Sequence, residues 1–388
     1  MNASNLPVTA GAITLNRAFG FNPRIAYELL GKTGSIGALF ALSEDERNAL
    51  LYKHPDYLGK LSNEEFENSL REYDWLMANG ADFLCIEDED YPLSLKECED
   101  APLGLYYKSC SKPSDFFAFP MISVVGTRDI STYGREWCPK IIQAIADCPN
   151  RASIVSGLAL GVDSLAHKAA LSFGIPTLAV LPCGINEVAP AGHWELAEKI
   201  RNSPNCALLS DFPPGYPVTK GNFLRRNRII AGLSSSTILI ESRKHGGGLI
   251  TARTAFSYGR DVYALQGRID DLRSQGCNNL LEEKIAEPIS NIQSLGARLG
   301  LGRRIYSPRG SFAEGVEKYY QRLPVEMLED LLSLARSIEK KKGINLEDLA
   351  FDCDLTYPRT LSLCTMLQKD SFIQIDLMQN CTILAKNA

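Results

Sequence analysis

The stretch ISVVGTRDISTYGREWCPKIIQAIADCPNRASIVSGLALGVDSLAH, residues 122–167, decides the architecture. It opens on the apolar run Ile122–Val125, turns through a glycine, and sets Trp137, Ile141, Ala144, Ile145 and Cys148 on one face of a helix over Thr132–Cys148. A second β-rich run, Ser153–Val155, follows, and then another glycine-bearing turn into a helix. Strand, helix and strand in that order form a right-handed crossover between parallel strands. Downstream runs at Thr177–Leu181, Ala207–Leu209, Thr237–Ile240 and Asp261–Leu265 repeat the alternation, each gap long enough for one helix. The fold class these residues predict is α/β: an extended Rossmann-like domain whose parallel sheet is covered on both faces.

Outward from this core the pattern changes. Leu15, Phe19, Ile25, Leu29, Leu30, Ile36, Leu39 and Phe40 recur at near-helical intervals, broken at Gly20, Gly31 and Gly34, so residues 1–85 read as a small helical module. The Rossmann-like domain takes residues 86–290, entered through a turn-rich stretch from Asp90 to Pro113. Weak periodicity over 291–322 reads as a linker. In 323–388, Met327–Ile338 is an amphipathic helix closed by Lys340, Lys341, Lys342 and Gly343, cations and a glycine being suited to a helix C-terminus. Ile344–Ala350, Tyr357–Lys369 and the β-like pair Phe372–Ile375 and Thr382–Ala385 then give helix-turn-helix plus hairpin, the order of a winged helix.

Composition narrows the function classes. A chain of 388 residues suggests two or three domains, and 45% hydrophobic with 22% charged residues is ordinary for globular protein. No run approaches the ~20 apolar residues of a membrane span. The opening residues 1–20 lack a basic segment followed by an apolar one, so a cytoplasmic protein is expected. The eleven cysteines are scattered, odd in number and without CxxC spacing, which predicts reduced thiols and neither metal nor cofactor. A net charge of −5 does not advertise a nucleic-acid binder, but phosphate binding needs only local positive potential.

Four segments carry candidate chemistry. Gly126-Thr127-Arg128 follows a strand: the glycine permits close approach, and the threonine and arginine suit phosphate oxygens, although such an arginine also serves as a plain ion-pair partner. Ser156-Gly157 opens a second strand-to-helix turn whose spacing is neither GxGxxG nor a Walker loop; His167, one turn into the helix, reads as a packing histidine rather than a base. Between Lys220 and Arg228 lie four cations, Lys220, Arg225, Arg226 and Arg228, with Phe223 among them and Asn227 beside the last. Cations that track phosphates around an aromatic that stacks a base are what single-strand binding uses, the alternative being a solvated basic face with Phe223 in the core. Finally Gly246-Gly247-Gly248 opens a helix and forms an anion-accepting nest, or only a flexible turn. All four follow strands at their C-terminal ends, the edge where parallel sheets bind ligands.

At these residues the chain resembles the DprA/Smf family (DNA processing protein A). VVGTR with YG downstream, SGLALGVDSLAH, LAVLPCG, LLSDFPPG, KGNFLRRNRIIAGLS, GGGLITARTA, GRDVYALQG and SQGCNNLL occur in family order over roughly residues 120–285. It departs from the family at Ala189-Pro190 and His193, where Tyr-Pro and Asn are common, and at Gln266-Gly267, where Pro-Gly is usual. The resemblance implies a SAM-like N-terminal module and a winged-helix C-terminal module. It also implies a homodimer that binds single-stranded DNA without turnover and loads a RecA-type recombinase during natural transformation and recombination. Carried onto this chain, the DNA-binding positions are Gly126, Thr127, Arg128, Ser156, Gly157, Lys220 and Phe223, with Arg225, Asn227 and Arg228 supporting the groove and Gly247 and Gly248 in the nest.

Two rivals stand beside this expectation. A nucleotide-cleaving phosphoribohydrolase on the same fold would need a carboxylate where GGGLITARTA has Arg253 and Thr254. A small-nucleotide sensor would not need the cations of Lys220–Arg228. For the dimer, Leu280, Leu281 and Ile285 form a stripe near the last strand of the domain; spacing alone fits packing onto its own sheet, and the resemblance favours an interface.

Overall fold

The computed structural model describes residues 6–302, 312–320, 323–341, 343–370, 372–376 and 378–383. The chain divides into two compact units after Leu301.

The first unit is built on nine strands: β1 Asp82–Cys85, β2 Gly104–Lys108, β3 Met121–Val125, β4 Ser153–Ser156, β5 Thr177–Val180, β6 Ala207–Ser210, β7 Ser236–Leu239, β8 Asp261–Ala264 and β9 Glu287–Pro288. They form one sheet in the order β1-β2-β6-β5-β4-β3-β7-β8-β9. From β6 to β9 all neighbours are parallel, while β1 and β2 add an antiparallel edge. Every residue of β3 to β7 is buried, as expected of strands with helices on both faces. The turn-rich stretch Asp90 to Pro113 thus contains a strand, β2, whose aromatic pair Tyr106 and Tyr107 splits between fully and partly buried faces.

The expected helix after β3 runs over Thr132–Ala146 and turns Cys138, Ile141, Ile142 and Ile145 inward. It begins at Ser131, whose hydroxyl accepts the Gly134 N–H at 3.2 Å. Ile122, Val124, Ile154 and Ile238 join it in the core on one side of the sheet. The core on the other side holds Val125, Val155, Leu178 and Ile229, and continues without a break into Leu15, Phe19, Leu29 and Leu39. These last four lie on the helices Leu6–Phe19, Pro23–Thr33 and Ile36–Ala41, the first of the N-terminal set that also includes Glu44–Leu50 and Asn63–Ala78. Asn16 donates to the Asp211 carbonyl at 2.9 Å and Tyr27 to the Ala101 carbonyl at 2.9 Å, fastening the helices to the sheet. A short helix, Leu295–Arg298, closes the unit, with Leu295, Leu299 and Leu301 buried against the sheet.

The second unit contains helices Phe312–Tyr320, Val325–Lys341, Leu346–Asp352 and Tyr357–Lys369, and strands β10 Ile344–Asn345, β11 Ile373–Ile375 and β12 Asn380–Ile383, ordered β10-β12-β11. It has its own core of Leu331, Leu334, Leu349, Leu363 and Phe372. The end of the expected Thr382–Ala385 run lies outside the described residues. Among the described residues no helix is long and apolar enough to cross a membrane.

Candidate nucleic-acid interface

The chain lays down β3, builds outward to β6, and then crosses back to place β7 on the other side of β3. The turns after β3 and β7 therefore part at the carboxyl edge, and a crevice opens at that reversal. A cavity of about 620 Å³ occupies it, lined by the loops after β3, β4 and β7 and by the helix Lys220–Leu233.

Two glycines make the walls meet. A Cβ on Gly248 would stand 2.8 Å from the Gly126 Cα, and one on Gly126 would stand 2.6 Å from Val162. The loop after β3 is then fixed from below by buried Glu241. Its carbonyl accepts the Thr127 N–H at 2.7 Å, and its carboxylate accepts the Ser131 N–H at 2.9 Å and the Ser131 hydroxyl. Thr127 in turn accepts the Val162 N–H at 3.2 Å, tying the loop to the next helix.

On this frame stand basic side chains from two loops. The Arg128 guanidinium lies 4.8 Å from the centroid of the half-buried Phe223 ring, so the two candidates from different segments form one stacked pair. Arg243, Lys244 and His245 also line the cavity, exposed on the loop after β7. Arg243 reaches Asp129 at 3.2 Å, and Asp129 also holds Arg273 at 2.9 Å. The helix Gly247–Ser257 starts on the cavity wall, its first residue exposed, and its N–H groups and dipole favour an anion there. The Asn227 amide also lines the cavity and makes no hydrogen bond to the described residues. Arg243, Lys244 and His245 were the contributors that sequence reasoning passed over. The signal was available as two cations and a histidine immediately before the glycines.

The remaining candidates fall elsewhere. Ser156 is buried and donates to the Val124 carbonyl at 2.7 Å. Gly157 is buried too, where a Cβ would stand 2.0 Å from Arg226. Arg225 and Arg228 both bind the buried Asp211 carboxylate at 2.8 Å, on the far side of their helix from Phe223. Arg226 donates to the carbonyls of Gly157, at 2.5 Å, and Val180. Burial lowers its pKa to about 10 against the opposing charge of Asp163, which leaves it cationic at neutral pH. Lys220 is exposed at the start of the helix, one turn before Phe223, and makes no ion pair among the described residues. His167 is buried, shares a 2.7 Å hydrogen bond with Thr177, and is driven by burial to a pKa of about 3, as a packing histidine should be. Leu280 is fully buried in its own protomer, and Leu281 and Ile285 are half-buried against the same core.

Fold and site together define a class: an open parallel-sheet protein with a cationic, aromatic-bearing crevice at the reversal of its strand order. The sequence model of DNA recombination-mediator protein A matches residues 82–300, more than half of the chain. DNA processing protein DprA of Streptococcus pneumoniae is 41% identical over 198 residues, 51% of this chain and 67% of that one. The solved structure of DprA from Streptococcus pneumoniae superposes with a TM-score of 0.63 at 30% identity, covering 75% of this chain and 98% of that one. A Helicobacter pylori DNA processing protein A, whose structure describes a single-stranded DNA binding mode, superposes with a TM-score of 0.50 at 29% identity, covering 56% of this chain and 95% of that one. The chain belongs to the DNA recombination-mediator protein A family, whose curated members are named DprA and Smf. It spans between about half and two thirds of the curated relatives it matches most strongly.

Proposed function

We propose that the crevice binds single-stranded DNA without chemical turnover, and that the protein, in the cytoplasm, presents the strand to a RecA-type recombinase during DNA uptake and recombination. The observation that carries this is the Arg128–Phe223 pair at the cavity, joined there by Arg243, Lys244 and His245 from another loop. Cations from two loops suit a phosphate backbone, and a half-exposed ring suits a base face that duplex DNA keeps stacked and hidden. The position where a phosphoribohydrolase would need a carboxylate carries Arg253, which pairs with Glu283 at 2.7 Å. His167 has a threonine neighbour and no access to a substrate, so it does not serve as a base. In the second unit, the order of helices and hairpin supports a winged-helix module. The relative from Helicobacter pylori supports the choice of ligand.

The test is a salt-dependent titration against single and double strands of equal length. Single strands should bind more tightly, with a log–log salt slope near −0.7 per phosphate contacted. Arg128→Ala should weaken binding to all sequences and flatten that slope by about one contact. Duplex competing equally at matched phosphate concentration would refute the proposal. Loading is tested by recombinase filament growth on single strands with and without this protein, and fails if the protein gives no acceleration.

A further inference from the structure

We propose that a strand held in the crevice continues over the first turn of the helix Lys220–Leu233 onto a second stacking platform, formed by Phe21 and Tyr216. The N-terminal helices would then supply part of the nucleic-acid surface. This extension rests on single-strand binding in the crevice.

Phe21 sits in the turn between the helices Leu6–Phe19 and Pro23–Thr33, and 59% of it is exposed, whereas Phe19 and Phe212 nearby are buried. It is not a loose surface ring. The Arg225 guanidinium lies 4.4 Å from its centroid, and Phe212 covers the same guanidinium at 4.5 Å. Arg225 is itself locked by Asp211, through its Nε to the carboxylate at 2.8 Å and its Nη2 to the carbonyl at 3.1 Å. Tyr216 stands beside Phe21 with ring centroids 6.2 Å apart. A pre-oriented aromatic surface backed by a cation loses little freedom when a flat, apolar-faced ligand stacks on it.

What makes that ligand the same strand is continuity and charge. Phe223 and Arg225 are two residues apart on one helix, so their side chains leave it on nearly opposite sides. The two aromatic sites therefore flank the helix start across a width of about 10–12 Å. At about 3.4 Å per stacked nucleotide, about three nucleotides cover this distance. The ridge between them offers Lys220, exposed and without an ion pair among the described residues, and Gly221, which has no side chain to obstruct the path. A peptide or other apolar partner has no need of the free cation on that ridge.

The full chain would be titrated with oligothymidylates of about two nucleotides, too short to reach from Phe223 to Phe21, and of about twelve, within the range of compact single-strand sites. Phe21→Leu keeps apolar contact with Arg225 but removes the stacking face. It should weaken the longer oligonucleotide about fivefold or more, leave the shorter one unchanged, and leave the melting temperature near that of the parent. Phe21→Trp should restore the longer oligonucleotide. Abasic substitution in the longer oligonucleotide should erase the difference between parent and Phe21→Leu. If Phe21→Leu and Tyr216→Leu both bind the longer oligonucleotide like the parent, while Arg128→Ala weakens it, the platform is not used and the crevice alone binds. If the parent binds neither length, the single-strand assignment falls and this extension with it.

Discussion

The direction in which each side chain leaves the helix Lys220–Leu233 separates interface from scaffold. Phe223 and Asn227, four residues apart, face the crevice, while Arg225 and Arg228, three apart, converge on Asp211. Asp211 is fully buried, and its carboxylate pairs with both enclosed guanidinium groups. Asp211→Ala should cost about 3–5 kcal/mol in denaturant unfolding, because it leaves both arginines buried without a counter-charge. A loss under about 1 kcal/mol would show that water replaces the carboxylate. His167 supplies a pH dependence of known sign. Its folded pKa of about 3 lies below the usual value near 6.5, so the unfolded chain binds a proton that the folded chain refuses between those limits. Stability should fall as pH drops below about 6.5, and His167→Gln should flatten that decline between pH 7 and pH 5 in urea titrations. An unchanged slope would mean the imidazole accepts a proton in place. At this scale the sequence was only half legible. The cluster of four cations was plain, but a step of one residue turns a helix by about 100°, and only contacts with Asp211 and Gly157 reveal which cations are spent inside.

Among the elements, the closure of two loops on each other shapes the site. Gly126 and Gly248 come from segments more than a hundred residues apart; a side chain on Gly248 would need the space Gly126 occupies, and one on Gly126 would meet Val162. Gly248→Ala should therefore push the loops apart, lowering both stability and affinity. Gly247→Ala meets open space at an exposed helix start, so it should leave the melting temperature unchanged or slightly raised. Equal effects of the two substitutions, measured by thermal unfolding and oligonucleotide binding, would contradict this account. Six of the seven parallel strands among the described residues, β3 to β8, were readable because burial on both faces demands unbroken apolar runs, and each lies within one residue of its expected position. β1 and β2 were not, since an antiparallel edge tolerates partly exposed residues and Asp82, Tyr107 and Lys108 dilute the apolar signal. The glycines were recognisable as close-approach residues, but not that two of them face each other.

At the scale of the molecule, one core joins the N-terminal helices to the sheet, while the second unit keeps a core of its own. The surface beside the last strands is what bears on oligomerisation. Leu280 is consumed by its own protomer, while Leu281 and Ile285 are half-buried on either side of Glu283, whose carboxylate pairs with Arg253 of the helix Gly247–Ser257. That helix shows solvent both Ile250 and Phe256, three residues to either side of Arg253, which adds exposed apolar side chains to those of the sequence stripe. We propose that a homodimer covers it. Two crevices on one particle would engage one long strand with high effective concentration, so that contacts weak in isolation add up to tight binding. Replacing both Leu281 and Ile285 with Glu adds two charges to each side of such an interface without opening the buried core at Leu280, and should yield a folded monomer. Sedimentation should then report half the parental mass, with affinity lost on strands long enough to bridge two crevices and kept on strands that fill one. A parent chain that sediments as a monomer at tens of micromolar would sink the dimer, and would leave Ile250 and Phe256 as surface for another partner.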